Sequence, residues 1–527
     1  MAFNPIHIIF GLKLRQARLA RGLSITELSE RSGLSPSYIT EIEKGRKYPK
    51  ADRIMDLAQA LGYEYDELVS LKLDPPLSFL ETPLTSQLLK NFPLELFGVD
   101  PGVIIDVLTR SPAEMGALIR ALQGIARGYA IRDEHFYLAA LRSYQEHHQN
   151  YFPELEEAAR RYSRERGWDD APLPREEAVL TDVLRKDFGY DIDVIPVEKY
   201  PSLAAYRMIF QPAGPGGARS PGATGRRARP RLLLNPALMP AQRQFLLARE
   251  IGYNVLGLDE RALTNSPDRV ESFAQVMNDF KAAYFGGALL MPEARVTADL
   301  KNLFAMETWQ PQRLIRMLDD YGVTPETLLY RFSELMPRHF DLKVHFLRFH
   351  ELNDGYYVYK HLNMNELALP TGFGLREHYC RRWLTVRLLR ELAEQQMQGL
   401  RGGPAGSRPA PTPLPGIQRS RFLESNKQFL CFGFARRDNL PPYLNTSVIL
   451  GIRIDDDLAR AVRFASDPAI PEGLLNETCE RCPLSDAECS ERAAPPTRWL
   501  QEKSARERER ELEALLRGEM PPARRRA

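Results

Sequence analysis

Four cysteines and one glutamate are the residues best equipped for chemistry. Cys479 and Cys482 stand in C-x2-C spacing, which lets two thiolates converge on one metal centre, and Cys489 follows after six intervening residues. Cys380 lies about 100 residues upstream, in FGLREHYCRRW. Four such thiols can hold an iron–sulfur cluster or a structural zinc ion. One distant and three clustered cysteines would tie the start of a C-terminal domain to its end. His378 is a substitute donor. Cys431, inside FLCFGFA, reads as a buried strand thiol, since free cysteine behaves as a small hydrophobe. The glutamate is Glu250, in Arg249-Glu250-Ile251-Gly252-Tyr253. Hydrolytic zinc chemistry on a helix uses H-E-x-x-H, with two imidazoles one turn apart and the glutamate as general base. Here both imidazole positions are replaced. A guanidinium has no acceptor lone pair and stays protonated, so Arg249 cannot ligate. Tyr253 is a poor ligand at neutral pH. Glu250 then has no metal-bound water to deprotonate. An ordinary amphipathic helix with Leu247, Ile251 and Val255 toward a core fits the same stretch.

The elements that position these residues begin at the N-terminus. In GLSITELSERSGLSPSYITEIEKGRKYP, residues 22–49, Ser24 and Glu27 form a capping box for a helix ending near Gly33. Ser35 caps a second helix with Pro36 at its first position. Ile39 and Ile42 face inward, Gly45 stops the helix and Pro49 prevents its resumption. This is a helix-turn-helix with the second helix as reader, and it resembles the XRE (phage-repressor-like) family over about 60 residues. That resemblance implies double-stranded DNA as partner, a homodimer on two-fold half-sites, and Ser37, Tyr38, Thr40 and Glu41 toward the major groove. Lys44, Arg46 and Lys47 suit phosphates. Ser24 and Ser35, at the two helix starts, complete the candidate DNA-binding set. Arg18 and Glu43 match positions that pair within the family fold.

Composition bounds the rest. The chain has 527 residues, 43% hydrophobic and 27% charged, enough for three or four domains with real cores. A net charge of +2 means that nucleic-acid binding must come from a local basic patch. No run of about 18 apolar residues exists, so no membrane span is expected. The first residues lack the layout of a secretory signal. A cytoplasmic location follows, and five cysteines then argue for metal or redox use over disulfides.

Along the chain, Ser111-Pro112-Ala113-Glu114 opens a helix, with Gly128 as its stop, and Thr324-Pro325-Glu326 opens another. AAYRMIF and RLLLN read as strands joined by a Gly/Pro/Arg-rich tip, residues 211–230. Residues 399–416 form a second loose stretch. VHFLRF, QFLCFGFA and SVILGIRI are further strands. The fold class is mainly α with an α+β C-terminal part. Five domains are expected: a five-helix DNA-binding domain (1–72), a helical linker or dimerisation region (73–170), a zincin-like α+β domain (171–365), a C-terminal α+β effector domain carrying the metal or cluster site (366–497), and a charged tail (498–527).

Two further resemblances bear on function. PALMPAQRQFLLAREIG and FKAAYFGGALLMP are similar to the zinc helix and the later helix of ImmA/IrrE-type metallopeptidases, and the resemblance places Asp279 and Lys281 nearest the third ligand position. The order of reader, degenerate peptidase domain and C-x2-C…C…ERAAPP segment is similar to the short-chain fatty acyl transcriptional regulator family. YQEHHQNYFPELEEAA, YFGGALLMP and Arg492-Ala493-Ala494-Pro495-Pro496 look like its pieces, and Gly374, Cys380 and Trp383 match its glycine and cysteine before a tryptophan, with looser spacing. The likeness spans most of residues 10–497. It implies a regulator of carbon metabolism with an acyl-CoA effector, and a 4Fe-4S cluster on Cys380, Cys479, Cys482 and Cys489 ahead of zinc. Arg381, Arg382, Arg436 and Arg437 are the candidate cations for the effector's phosphates. The rival readings are an antitoxin-type interaction protein that holds a partner with the peptidase-like domain, and a zinc peptidase.

Overall fold

In the computed structural model the described residues are 5–73, 133–169, 172–173, 175–213, 229–264, 270–352, 355–370, 377–402 and 413–517. The helix expected from Ser111, Gly374, the last ten residues and the middle of each loose stretch (214–228 and 403–412) lie outside them, whereas 399–402 are helical and 414–416 are strand. The chain divides into two compact units, residues 1–144 with 267–278, and residues 145–266 with 279–527. Among the described residues no helix is long and apolar enough to cross a membrane.

The first unit begins with five helices: α1 (Pro5–Ala20), α2 (Ile25–Ser32), α3 (Pro36–Glu43), α4 (Ala51–Leu61) and α5 (Tyr65–Val69). Their ends follow the sequence chemistry. Ser24 Oγ accepts the Glu27 N–H, and the Glu27 carboxylate accepts the Ser24 N–H at 2.7 Å, closing the capping box. Gly33 ends α2 at φ 67°, a left-handed conformation that costs glycine nothing. Leu28, Ile39, Ile42 and Leu57 are buried in the shared core. At Gly11 a Cβ would sit 2.5 Å from the Ile42 carbonyl oxygen, so only glycine lets α1 lie this close to α3. Arg18 grips Glu43 through two hydrogen bonds, 2.6 and 2.8 Å, both groups buried. That pair fixes the C-terminal end of α3 to α1.

The second unit mixes helix and sheet. Helix α6 (Asp133–His147), most of which belongs to the first unit, precedes α7 (Pro153–Glu165), α8 (Glu177–Lys186) and a three-stranded sheet of β1 (Asp191–Val194), β2 (Met208–Gln211) and β3 (Arg231–Leu234). β3 lies between the other two, parallel to β1 and antiparallel to β2, so AAYRMIF and RLLLN do form the two arms of one long hairpin. Five helices follow: α9 (Pro240–Val255), α10 (Phe273–Leu290), α11 (Glu293–Phe304), α12 (Pro311–Tyr321) and α13 (Pro325–Phe340). Thr324 caps α13 as its sequence predicts. The remainder is β4 (Val344–Leu352), β5 (Gly355–Asn363), α14 (Leu384–Gly402), β6 (Leu414–Phe422), β7 (Gln428–Arg437), β8 (Asn445–Arg453), α15 (Asp456–Ala461), β9 (Glu472–Leu475) and α16 (Thr497–Leu516). The described part of the charged tail is thus mostly helix, and no residue of α16 is buried.

Strands β4 to β9 make one sheet in the order β5-β4-β8-β7-β6-β9. Alternation along the strands gives it two faces. Phe346, Leu430, Phe432, Phe434, Val448 and Leu450 join one large core with Leu247, Ile251, Phe285, Leu328 and Phe332 of the helices. Leu347, Phe349, Phe429, Cys431 and Ile449 face α14 in a second core with Cys380 and Trp383. The boundary expected at residue 365 therefore falls inside a single sheet. The hydrophobic pattern signals strands but not their partners, and β4 pairs with β8 about 100 residues later. The boundary expected at 170 shifts likewise. α7 is bound to α13 by the buried Arg331, whose guanidinium reaches Glu156 at 2.9 Å and Glu334 at 2.8 Å.

Candidate functional site

The reader helix α3 presents its expected residues with different degrees of freedom. Ser37 and Lys47 are exposed; Tyr38, Thr40, Glu41, Lys44 and Arg46 are half-buried. Ser24 and Ser35 accept backbone N–H bonds as helix caps, so of their hydroxyls the hydrogen is what remains to donate. Thr40 Oγ1 donates to the Pro36 carbonyl at 2.8 Å. Glu41 is held by Arg46 at 3.0 Å, so the presumed base reader and phosphate binder meet any partner as an ion pair. The Lys47 ammonium stands 5.7 Å over the Tyr38 ring. The Arg46 and Lys47 N–H groups both return to the Glu41 carbonyl, which folds this basic turn back on the end of the helix.

The Glu250 cleft is built by α9 and α10, which approach so closely that a Cβ on Gly286 would lie 2.8 Å from the Arg249 backbone nitrogen. Arg249, Tyr253 and Asp279 converge there. The Arg249 guanidinium bonds the Asp279 carboxylate, and the Tyr253 hydroxyl donates to the same oxygen at 3.1 Å. A guanidinium thus stands where a zinc ion would gather three ligands. Glu250, 1% exposed, is gripped by Arg261 through two bonds, one of 2.7 Å, and receives the Tyr190 hydroxyl at 2.7 Å. The Arg261 guanidinium is clamped between the Phe210 ring at 3.8 Å and the Tyr253 ring at 4.0 Å. Both acids carry a positive partner, a guanidinium in place of a metal ion. Lys281 is absent from the ion pairs of this cleft. Sequence spacing signalled Arg249, Glu250, Tyr253 and Asp279. Arg261 and Tyr190 carried no signal, because each arrives from a segment outside the helix motif.

The four cysteines of the C-terminal segment are all buried thiols. An isolated antiparallel bridge, Tyr379 to Thr478, lays the Cys380 segment against the Cys479 segment. The Cys479 N–H reaches the His378 carbonyl at 2.8 Å, and Trp383 Nε1 donates to the Asn476 carbonyl at 2.7 Å. Burial pushes the Cys380 thiol up to about 11, and the Cys479 and Cys482 sulfurs add to it. Burial likewise raises Cys482, with Cys489 and Cys479 contributing. The four sulfurs are therefore electrostatic neighbours. Backbone N–H groups point at them: those of Asn476 and Arg382 at Cys380, Leu484 at Cys482, and Ala493 at Cys479 at 3.4 Å. Among the described residues no three His, Cys, Asp or Glu side chains are gathered tightly enough to chelate a single metal ion. His378 Nδ1 is bonded to Glu480 at 2.8 Å. Cys431 sits apart on β7, 3.9 Å from His345 Nε2, its thiol pushed up to about 12 by burial.

The four candidate arginines fall in two separate places. Arg382 is a structural tie, bonded to Glu491, to the Glu488 carbonyl at 2.8 Å and to the Leu474 carbonyl. Arg381 stacks 4.8 Å over Tyr356. Arg436 is buried at the end of β7 near Asp438, and its neighbour Arg437 is exposed.

Fold and sites together define a DNA-reading module followed by a peptidase-type domain without its metal ligands. Residues 14–68 match the helix-turn-helix family and residues 207–333 match the IrrE N-terminal-like domain family. The chain is 37% identical over 62 residues to the uncharacterized HTH-type transcriptional regulator y4dJ of Sinorhizobium fredii, covering 12% of this chain and 80% of that protein. It is 34% identical over 67 residues to the control protein C.BamHI of Bacillus amyloliquefaciens, covering 12% and 83%. A Mycobacterium tuberculosis transcriptional regulator of solved structure is 18% identical over 67% of this chain and 92% of its own, with a TM-score of 0.42, too low to argue from. The chain belongs to the HTH-type transcriptional regulators.

Proposed function

We propose that the protein binds a double-stranded DNA operator as a homodimer, and that its second unit senses a small molecule, a short-chain acyl-CoA, to regulate carbon metabolism. A cysteine-held iron–sulfur cluster is part of the sensing unit in this reading. The observation that carries it is the meeting of Cys380 with Cys479, Cys482 and Cys489 across about 100 residues of chain. Such buried thiols repel one another as thiolates and are stabilised by a cationic centre. The N–H groups aimed at the sulfurs suit a cluster, whose potential they would tune. Cys380, Cys479, Cys482 and Cys489 would hold the cluster, which supplies redox or iron dependence when bound.

The test is anaerobic purification with iron, sulfide and zinc analysis. About four iron and four sulfide per chain, lost in Cys479→Ser, are expected. About one zinc and no iron would remove the redox branch. For the sensing half, operator affinity should change when acetyl-CoA or propionyl-CoA is added; an affinity indifferent to both would sink it. At the reader, Ser37→Ala should weaken operator binding by about 1 kcal/mol, measured by fluorescence anisotropy at fixed salt.

A further inference from the structure

The face of the six-stranded sheet that packs on the helices does not stay apolar to its end. The row through Val344 and Phe346 on β4 continues to Arg348 and His350, and the row through Leu430, Phe432 and Phe434 on β7 continues to Arg436. Thr446 of β8 lies between, facing His350 on one side and Arg436 on the other. Opposite stand Glu326 in the first turn of α13, Asp438 just past β7, and Arg207 just before β2. The Arg348 guanidinium bonds Glu326, and its Nε donates to Thr446 Oγ1 at 3.3 Å.

The guanidiniums hold the carboxylate of Asp438 only at longer range. Asp438 is approached by three guanidiniums, Arg207 at 3.5 Å, Arg348 at 3.8 Å and Arg436 at 3.9 Å. A finished charge-assisted pair closes to about 2.7–2.9 Å. The Arg348 and Arg436 side chains are each 6% exposed, where cations are ordinarily well paired. Arg436 donates to the Arg437 carbonyl at 3.3 Å and, among the described residues, reaches no carboxylate closer than that 3.9 Å. His350 stacks on Tyr359 at 4.4 Å, and its Nε2 is buried with no hydrogen-bond partner among the described residues. Burial, with Arg348 beside it, pushes His350 down to about 4, so the imidazole is neutral and its Nε2 can carry a proton to donate.

We propose that Arg207, Arg348, Arg436 and His350 form an oxyanion-binding site at the end of the core, taking a phosphate or carboxylate group of a small soluble ligand. The site gathers guanidinium donors from β4, β7 and the approach to β2 around Asp438. It stands whether or not the effector is an acyl-CoA, and it separates Arg436 from Arg381 and Arg382, which are engaged elsewhere.

The experiment uses the full chain with its metal complement. Calorimetric titration with inorganic phosphate, pyrophosphate, sodium propionate and coenzyme A is run on the wild type, Arg436→Met and Arg207→Met. Binding of at least one probe is expected, with affinity at least tenfold weaker in both variants and unchanged circular dichroism. Arg207 is partly exposed, so its variant keeps the test alive if Arg436→Met fails to fold. Saturation by phosphate alone identifies a free oxyanion. Binding of coenzyme A without phosphate identifies the phosphate of a larger ligand, and binding of propionate alone a carboxylate. Equal affinity in wild type and variants, or no binding of any probe, overturns the site. Coenzyme A binding that survives both variants would leave the sensing reading intact while removing this site from it.

Discussion

The former peptidase cleft and the arginine cluster at the end of the core use the same groups differently. In the cleft two guanidiniums, Arg249 and Arg261, meet two carboxylates, Asp279 and Glu250, in direct contact, with two aromatic rings closing over Arg261. Each carboxylate there is closed by a guanidinium in direct contact. In the cluster three guanidiniums share Asp438 at 3.5–3.9 Å, and one of them also holds Glu326. Closed ion pairs make a brace; the more widely spaced charges around Asp438 are those we propose to receive an anion. The difference lies in where the carboxylates fall, not in how many arginines there are.

Removing an arginine should therefore have opposite signs in the two places. The largest effect is expected for Arg261→Met, which strands the buried Glu250. Unfolding by urea should lose about 3–5 kcal/mol, and an unchanged midpoint would mean that Glu250 finds water instead. Next comes Glu326→Gln, costing about 2 kcal/mol at neutral pH through the lost bond to Arg348. Burial would raise the Glu326 pKa, but Arg348, Arg207 and Arg436 outweigh it and hold it at about 2, against 4.5 for an ordinary glutamate. The carboxylate thus stabilises the fold fully above pH 4.5 and loses that contribution as pH falls toward 2. The gap between wild type and Glu326→Gln should close over that window, and a gap constant from pH 6 to 3 would contradict it. The smallest effect is Arg436→Met, which removes an under-neutralised buried cation. Without ligand it should be neutral or raise stability by on the order of 1 kcal/mol, and a large loss would show the cluster to be a brace like the cleft.

Local chemistry was legible wherever a residue acts on its own neighbours. Ser24, Gly33, Ser35 and Thr324 end or begin helices as their types predict, and Ile39 and Ile42 are buried as their spacing predicts. The loss of the zinc ligands at Arg249 and Tyr253 was equally plain, because no guanidinium can bind a cation. What took the ligands' place was not legible. Arg261 lies eleven residues past Glu250 in a segment without a pattern, and Tyr190 sixty residues before it. Nor was it legible that β4 and β5 share one sheet with β6 to β9, since periodicity finds strands and helices but not which ones share a core.

The sequence by itself determined the DNA-reading module, the replacement of both imidazole positions by Arg249 and Tyr253 and the inventory of thiols, since each depends on residue type at short spacing. Only the tertiary structure decided that Glu250 is neutralised by Arg261, that Cys380 meets Cys479 and Cys482, and that Arg348 and Arg436 stand together on one sheet face. Those outcomes depend on strand pairing and helix packing between segments tens to hundreds of residues apart. Their charges meet only after the chain has buried its apolar faces, and no local pattern records the meeting.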